Sequence, residues 1–223
     1  MVPSMNAARL LAAVFSLTAS CAFGAVTLLQ TDNFDTLGGW TSGSPNPNPP
    51  SILADSGPLG GGDSALRVIA NGGGAGGRLV TFNRSTWIGD FSDAGVTSIT
   101  MDLRNLGTSP LSVRIAFNGP GGWWITAAES VPAFAGWANH AFDIQASALI
   151  ASDGGTNAAA TLGGVTEMRI LHSPLPDHTG FAISSTMLVD NVTAVPEPSA
   201  LLLLACSPLF LKRKRRFAKI TIL

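Results

Sequence analysis

Two stretches of strict apolar–polar alternation do most to limit what this chain can fold into. Ile99, Met101 and Leu103 alternate with Thr100, Asp102 and Arg104, and Leu111, Val113, Ile115 and Phe117 alternate with Ser112, Arg114 and Ala116. Side chains of an extended strand point to opposite faces in turn, so a period of two with one apolar side marks a half-buried strand. The link 105–110, Asn-Leu-Gly-Thr-Ser-Pro, has turn composition and predicts a hairpin between the two. In that pairing Asp102 and Arg104 come near Arg114 on the side away from the core. Further strands are expected at 26–30, 65–70, 78–82, 124–127, 138–144, 165–171 and 186–193, and short helices only at 146–151 and 88–94. Many short strands joined by turn-rich links predict an all-β fold of two antiparallel sheets packed as a sandwich.

The links are rich in glycine and proline. Four prolines fall between Gly43 and Pro50, and glycine runs occupy 60–62 and 72–77. The second run is no phosphate loop: it lacks a following Lys-Ser/Thr, and Arg78 opens a strand where a helix is needed. Cys21 and Cys206 are the only cysteines and both lie outside residues 25–194, so that stretch holds together by burial, or with help from a metal. Within it, six arginines against thirteen acids leave a net charge of −7, and no lysine occurs. Phosphate binding needs clustered cations, so nucleic acid is excluded as a partner.

Both ends carry targeting features. Arg9, an apolar run from Leu10 to Ala19 and the small-x-small triplet Ala22-Phe23-Gly24 make residues 1–24 a secretory signal, with the mature chain starting at Ala25. Thr18-Ala19-Ser20-Cys21 offers a competing lipobox reading, in which Cys21 is acylated. At the other end Pro196-Glu197-Pro198 precedes the apolar segment 199–211, and then come Lys212, Arg213, Lys214, Arg215 and Arg216. Five adjacent cations resist translocation and stay cytoplasmic while the apolar segment, expected to be a hydrophobic helix, enters the inner membrane. Residues 195–223 therefore read as a tail and 25–194 as a single exported domain.

This tail resembles the PEP-CTERM sorting signal, whose triplet corresponds to Pro196, Glu197 and Pro198. The resemblance implies export through the secretion machinery and signal peptidase, then processing by an exosortase near the triplet. It also implies that before this cut the precursor is anchored with its domain in the periplasm, and that the product then reaches the cell surface or a biofilm matrix. The apolar run is short for a span and contains Pro208, and 217–223 extends past the basic block. An ordinary tail anchor is the alternative.

A second resemblance covers most of 26–194. Asp32-Asn33-Phe34-Asp35 with Gly39-Trp40 opens the domain and Leu188-Val189-Asp190-Asn191-Val192 closes it. The pattern is similar to the galactose-binding-like jelly roll shared by many carbohydrate-binding modules. That resemblance implies a structural Ca²⁺ where the first and last strands meet, with Asp35 and Asp190 as candidate ligands, Asp63 as a third, and main-chain carbonyls completing the shell. The alternative is that these acids cap turns. It also implies extracellular polysaccharide as a partner, with Trp123 and Trp124 as candidate glycan contacts after Gly-Pro-Gly-Gly. Neighbouring strand residues face opposite ways, so one of the two indoles enters the core and the other faces out. Trp40 and Trp137 read as core residues at strand ends.

Catalytic signatures are weak. Asp177-His178 sits in a loop, and neither a Gly-x-Ser-x-Gly elbow nor a His-Glu-x-x-His helix occurs. The reading is a non-catalytic surface or matrix protein that contacts polysaccharide. Its alternatives are a structural envelope protein without glycan affinity and a glycan-active hydrolase.

Overall fold

The computed structural model describes residues 25–197. The secretory signal, Pro198, the hydrophobic helix expected at 199–211 and the basic cluster Lys212 to Arg216 lie outside the described residues. Thirteen strands, β1 (Thr31–Asp32), β2 (Trp40–Thr41), β3 (Ser51–Leu53), β4 (Ala65–Asn71), β5 (Val80–Asn83), β6 (Ser98–Asn105), β7 (Leu111–Gly119), β8 (Gly122–Ile125), β9 (Glu129–Val131), β10 (Ala138–Asp143), β11 (Ile150–Ala151), β12 (Glu167–His172) and β13 (Ser184–Val195), build two antiparallel sheets. The six-stranded sheet runs β10-β6-β13-β4-β3 with β1 beside β13. The seven-stranded sheet runs β11-β8-β7-β12-β5-β2 with β9 beside β7. The two pack face to face as the expected all-β sandwich.

Alternation places the core. Ile99, Met101 and Leu103 of β6, Val113, Ile115 and Phe117 of β7, Met168 and Ile170 of β12, and Met187 and Val189 of β13 have no exposed surface. Each such side chain contributes about 1.5–3 kcal/mol by burial, which is what holds a disulfide-free domain together. The bonding of β6 and β7 differs from the expected hairpin. They lie in different sheets: β6 pairs with β10 and β13, and β7 with β8, β9 and β12. The link 105–110 is an arch that carries the chain from one layer to the other.

Asn105 sets the arch. Its buried amide nitrogen donates to the carbonyls of Ser109 (2.8 Å) and Pro132 (3.0 Å), and its oxygen accepts from the Gly107 amide (2.8 Å) and the Ser185 hydroxyl (3.2 Å). Asp102 and Arg104 therefore do not share a sheet with Arg114. The Arg114 guanidinium instead donates to the carbonyls of Ser173 (3.0 Å) and Thr126 (2.7 Å).

Other expectations shift. Residues 26–30 form a turn, with Leu29 at φ 64°, before β1 starts. Residues 146–148 are a turn that leads into β11, not a helix, and 88–94 holds one helical turn, Ala94 N–H to Asp90 C=O at 3.2 Å. The helix is instead α1 (Ala158–Leu162), opened by Asn157, whose side chain accepts from the Ala160 amide at 3.0 Å. An Asn before an alanine run is a helix-start signal, and it outweighs the helix propensity at 146–151. Among the described residues no helix is long and apolar enough to cross a membrane.

Candidate functional site

The motifs that open and close the domain meet along β13. β1 pairs with it, Asp32 opposite Val192. The Asp32 carboxylate accepts from two buried indoles, Trp40 at 2.7 Å and Trp87 at 2.8 Å, so the Asp and Gly-Trp of the opening motif hold the first strand to the core. The closing motif contains a bulge. The β13–β6 register shifts between Asp190 and Thr193, with Asn191 at φ 50°. Asparagine tolerates that left-handed backbone, and the extra residue returns Val192 to the core.

Asp190 stands opposite Asp102 of β6 with no exposed surface. Burial, and then the charges of Asp63, Asp102 and Asp35, push its carboxyl up from 3.8 to about 6, against a bond from the Asn191 amide that lowers it. The two other calcium candidates are engaged in local turns: Asp63 accepts from the Leu59 amide at 2.8 Å and Asp35 from the Asn33 side chain at 2.7 Å. Among the described residues no three His, Cys, Asp or Glu side chains converge as a metal cage.

Trp124 points to the core side, half-buried against the main cluster, with its indole N–H on the Gly121 carbonyl at 3.1 Å. Trp123 points to the opposite, outer face of the seven-stranded sheet. Register sets Ile125, Ala116, Arg169 and Phe82 in one row across β8, β7, β12 and β5, and Trp123, Asn118 and Glu167 in the next. Because Ala116 is small, the Arg169 guanidinium crosses β7 and packs on the Trp123 ring, 4.2 Å from its centre. The His178 imidazole stacks on the same indole at 4.3 Å and 14°. Glu167, nearly buried, accepts from Arg84 at 2.6 Å and from Arg169 at 2.5 Å, and Arg84 covers the Phe82 ring at 4.4 Å.

The outer face is thus a linked row of rings and guanidiniums, Phe82–Arg84–Glu167–Arg169–Trp123–His178. With the Phe82 ring covered by Arg84, such a surface offers fixed N–H donors to hydroxyls and the exposed part of the Trp123 indole to sugar C–H groups. It is poorly suited to acid–base chemistry, since both Glu167 oxygens are held by arginines. His178 bonds the Ser152 hydroxyl at 3.0 Å, but that oxygen also accepts from the His178 amide at 3.2 Å. Burial, and then the Arg169 charge, lower the His178 pKa below 6.5, so the ring is neutral at pH 7.

The sequence named Trp123 and Trp124 together without saying which faces out, and it did not name the residues packed on Trp123. The i, i+2 spacing of Glu167 and Arg169, and of Phe82 and Arg84, was a usable signal, because it puts each pair on one face of a strand. Nothing in the sequence links His178 or Ser152 to Trp123. Of the other indoles, Trp40 is in the core as expected, whereas Trp137 is half-buried with its N–H on the Ser56 carbonyl at 3.2 Å. At the C-terminal end β13 runs to Val195, Pro196 is buried and Glu197 is exposed.

No family model matches the chain, and no curated protein sequence does. Solved structures do. An exo-β-agarase aligns with a TM-score of 0.53 at 11% identity, over 77% of this chain and 25% of that one. The family 11 carbohydrate-binding module of Clostridium thermocellum, in complex with a β-1,3-1,4-mixed-linked tetrasaccharide, aligns at 0.48 and 16% identity, over 76% of this chain and 96% of that one. The N-terminal cellulose-binding domain of Cellulomonas fimi β-1,4-glucanase C aligns at 0.42 and 16%, over 75% and 94%. At these identities the likeness is one of fold, the jelly-roll sandwich.

Proposed function

We propose that this protein is exported, sorted by an exosortase-type system to the cell surface or extracellular matrix, and binds polysaccharide without cleaving it. The binding surface is the outer face of the seven-stranded sheet. The observation that carries the reading is the setting of Trp123: a partly exposed indole on a flat sheet face, flanked by Arg169 and His178 and continuous with Phe82 and Arg84. These groups are tied to one another before any ligand arrives, so little ordering cost remains on binding. The sorting half of the proposal rests on residues 1–24 and 195–223, and is supported by the position of the last strand. β13 ends at Val195, so the Pro-Glu-Pro triplet starts where the sheet stops.

A second reading has its own observation. The Trp123 ring already packs against Arg169 and His178, which is what a purely structural outer cluster would look like. Affinity electrophoresis of the full-length protein through agarose, mixed-linked β-1,3-1,4-glucan and cellulose derivatives separates the two. Retardation of the wild type that Trp123→Ala removes is the expected result. Equal mobility in every gel supports the structural reading and ends the binding one. For sorting, intact-mass measurement of the protein from its native host is expected to find a start at Ala25 and a cut near Pro196. A mass equal to the uncleaved chain would overturn it.

A further inference from the structure

The arch between the two sheets also shapes a second concavity. Gly107 approaches β13 so closely that a Cβ there would lie 2.0 Å from the Ser185 hydroxyl, and the Leu106 amide bonds the Thr186 carbonyl at 2.9 Å. Between this arch and the ends of β4 and β13 lies an open cleft of about 430 Å³, lined among others by Asn71, Leu106, Gly107, Thr108, Ser184 and Thr186. Its lining contains hydroxyl and amide side chains and no charged one. It belongs to the six-stranded sheet, away from Trp123.

Phe134 is bonded through its backbone to the arch that bounds this cleft. The Phe134 amide donates to the Gly107 carbonyl at 3.0 Å, and the Asn105 side chain ties Pro132 to the same arch. The Phe134 ring is 71% exposed and its backbone sits at φ 53°. A bulky residue in the left-handed region is strained, and glycine would fill the position without that cost. A strained, solvent-facing aromatic one residue contact from the cleft lining is not explained by core packing, which points to a use outside the fold.

We propose that this cleft and the Phe134 ring form a second glycan subsite, one that takes a neutral sugar residue. The ring packs on sugar C–H groups while Asn71, Thr108, Ser184 and Thr186 exchange hydrogen bonds with the hydroxyls. The inference rests on the reading of the domain as a glycan binder but not on the Trp123 face. The two differ in chemistry: the face carries guanidiniums, whereas the cleft recognises an uncharged ligand and binds independently of salt.

The test is saturation-transfer NMR and affinity electrophoresis of the full-length protein with agarose oligosaccharides and mixed-linked β-1,3-1,4-glucan oligosaccharides. Phe134→Ala is expected to weaken binding about tenfold. The wild-type affinity should be unchanged in about 0.5 M NaCl. Phe134→Gly should melt higher than the wild type while binding as weakly as Phe134→Ala, which separates loss of the ring from loss of folding. Loss of binding in Trp123→Ala with none in Phe134→Ala would overturn the cleft and leave the face standing. Loss only in Phe134→Ala supports the cleft and overturns the face. A wild type that binds neither neutral probe also overturns the cleft.

Discussion

Replacing Asp190 by asparagine exchanges one carboxylate oxygen for an amide nitrogen at a position with no exposed surface. In the wild type, burial and then the charges of Asp63, Asp102 and Asp35 raise this carboxyl from 3.8 to about 6. At about 1.4 kcal/mol per tenfold in proton affinity, the ionised folded state bears a cost of about 3 kcal/mol. The sign follows from proton binding. The folded protein holds the Asp190 proton more tightly than the unfolded chain, so the cost is absent below pH 3.8, grows as pH rises and is complete above about 6. Asparagine keeps an acceptor for the Asn191 amide, now at 2.7 Å, and its N–H₂ replaces the oxygen that accepts only weakly from the Asn191 side chain at 3.5 Å. Asp190→Asn should therefore stabilise the protein by about 1–3 kcal/mol at neutral pH, a rise in Tm of about 2–12 °C for a domain of this size. The gain should vanish near pH 4. Thermal melts of both proteins across this range, with EDTA present, measure it. A mutant that melts at or below the wild type at neutral pH, or a gain that persists at low pH, refutes the electrostatic account. If calcium removed the gain that EDTA reveals, the acids would share a cation and the repulsion argument would fail in that condition.

Asp32→Ala leaves the Trp40 and Trp87 indole N–H groups buried without their acceptor, and urea titration should show a loss of about 2–4 kcal/mol, less for Asp32→Asn. Asn105→Ala removes the buried hub of the arch and should cost about 3 kcal/mol, and Asn105→Asp should not rescue it because the lost N–H₂ groups are donors. His178 has a lowered pKa, so the folded state resists its protonation and its contribution is lost as pH falls below 6.5. His178→Phe keeps a ring on Trp123 and should flatten that part of the stability–pH profile; an unchanged slope there would show that another group controls it.

The core of this sandwich was legible because alternation is a local signal. Met101 and Leu103, or Ile115 and Phe117, must face one way whatever the partner strands are. Pairing was not legible, for a definite reason. A hairpin and an arch bury the same apolar faces, so residues 98–119 satisfy the pattern equally well in either. The choice lies with Asn105, whose partners at Pro132 and Ser185 are 27 and 80 residues away. Its identity as a turn former was visible, but its role as a hub was not. The helix was misplaced on similar grounds: Ala146 to Ile150 looks helical by composition, yet Ile150 and Ala151 are drawn into pairing with Ile125 and Trp124. Of the candidate site, the Trp123–Trp124 pair was visible but not which of the two faces out, while His178 and Arg169 reach Trp123 only through tertiary packing.

The same logic explains why the two candidate surfaces differ. On a strand, selection for a core fixes every second residue and leaves its neighbours free of that demand. In β12 the inward set is Met168 and Ile170, and of the outward residues Glu167, Arg169 and Leu171 the two charged ones are paired, Glu167 also bonding Arg84. In β13 the inward set is Met187 and Val189, while Ser184 and Thr186 stay neutral beside the arch. The outward set of β12 is itself packed, since Glu167 is nearly buried between Arg84 and Arg169, whereas Ser184 of β13 is exposed. If both surfaces bind glycan as proposed, the charged row beside Trp123 and the neutral lining of the cleft beside the arch would select different ligands. Salt dependence is where it becomes measurable: contacts made through Arg84 and Arg169 weaken as ionic strength rises, and contacts made at the Phe134 cleft do not.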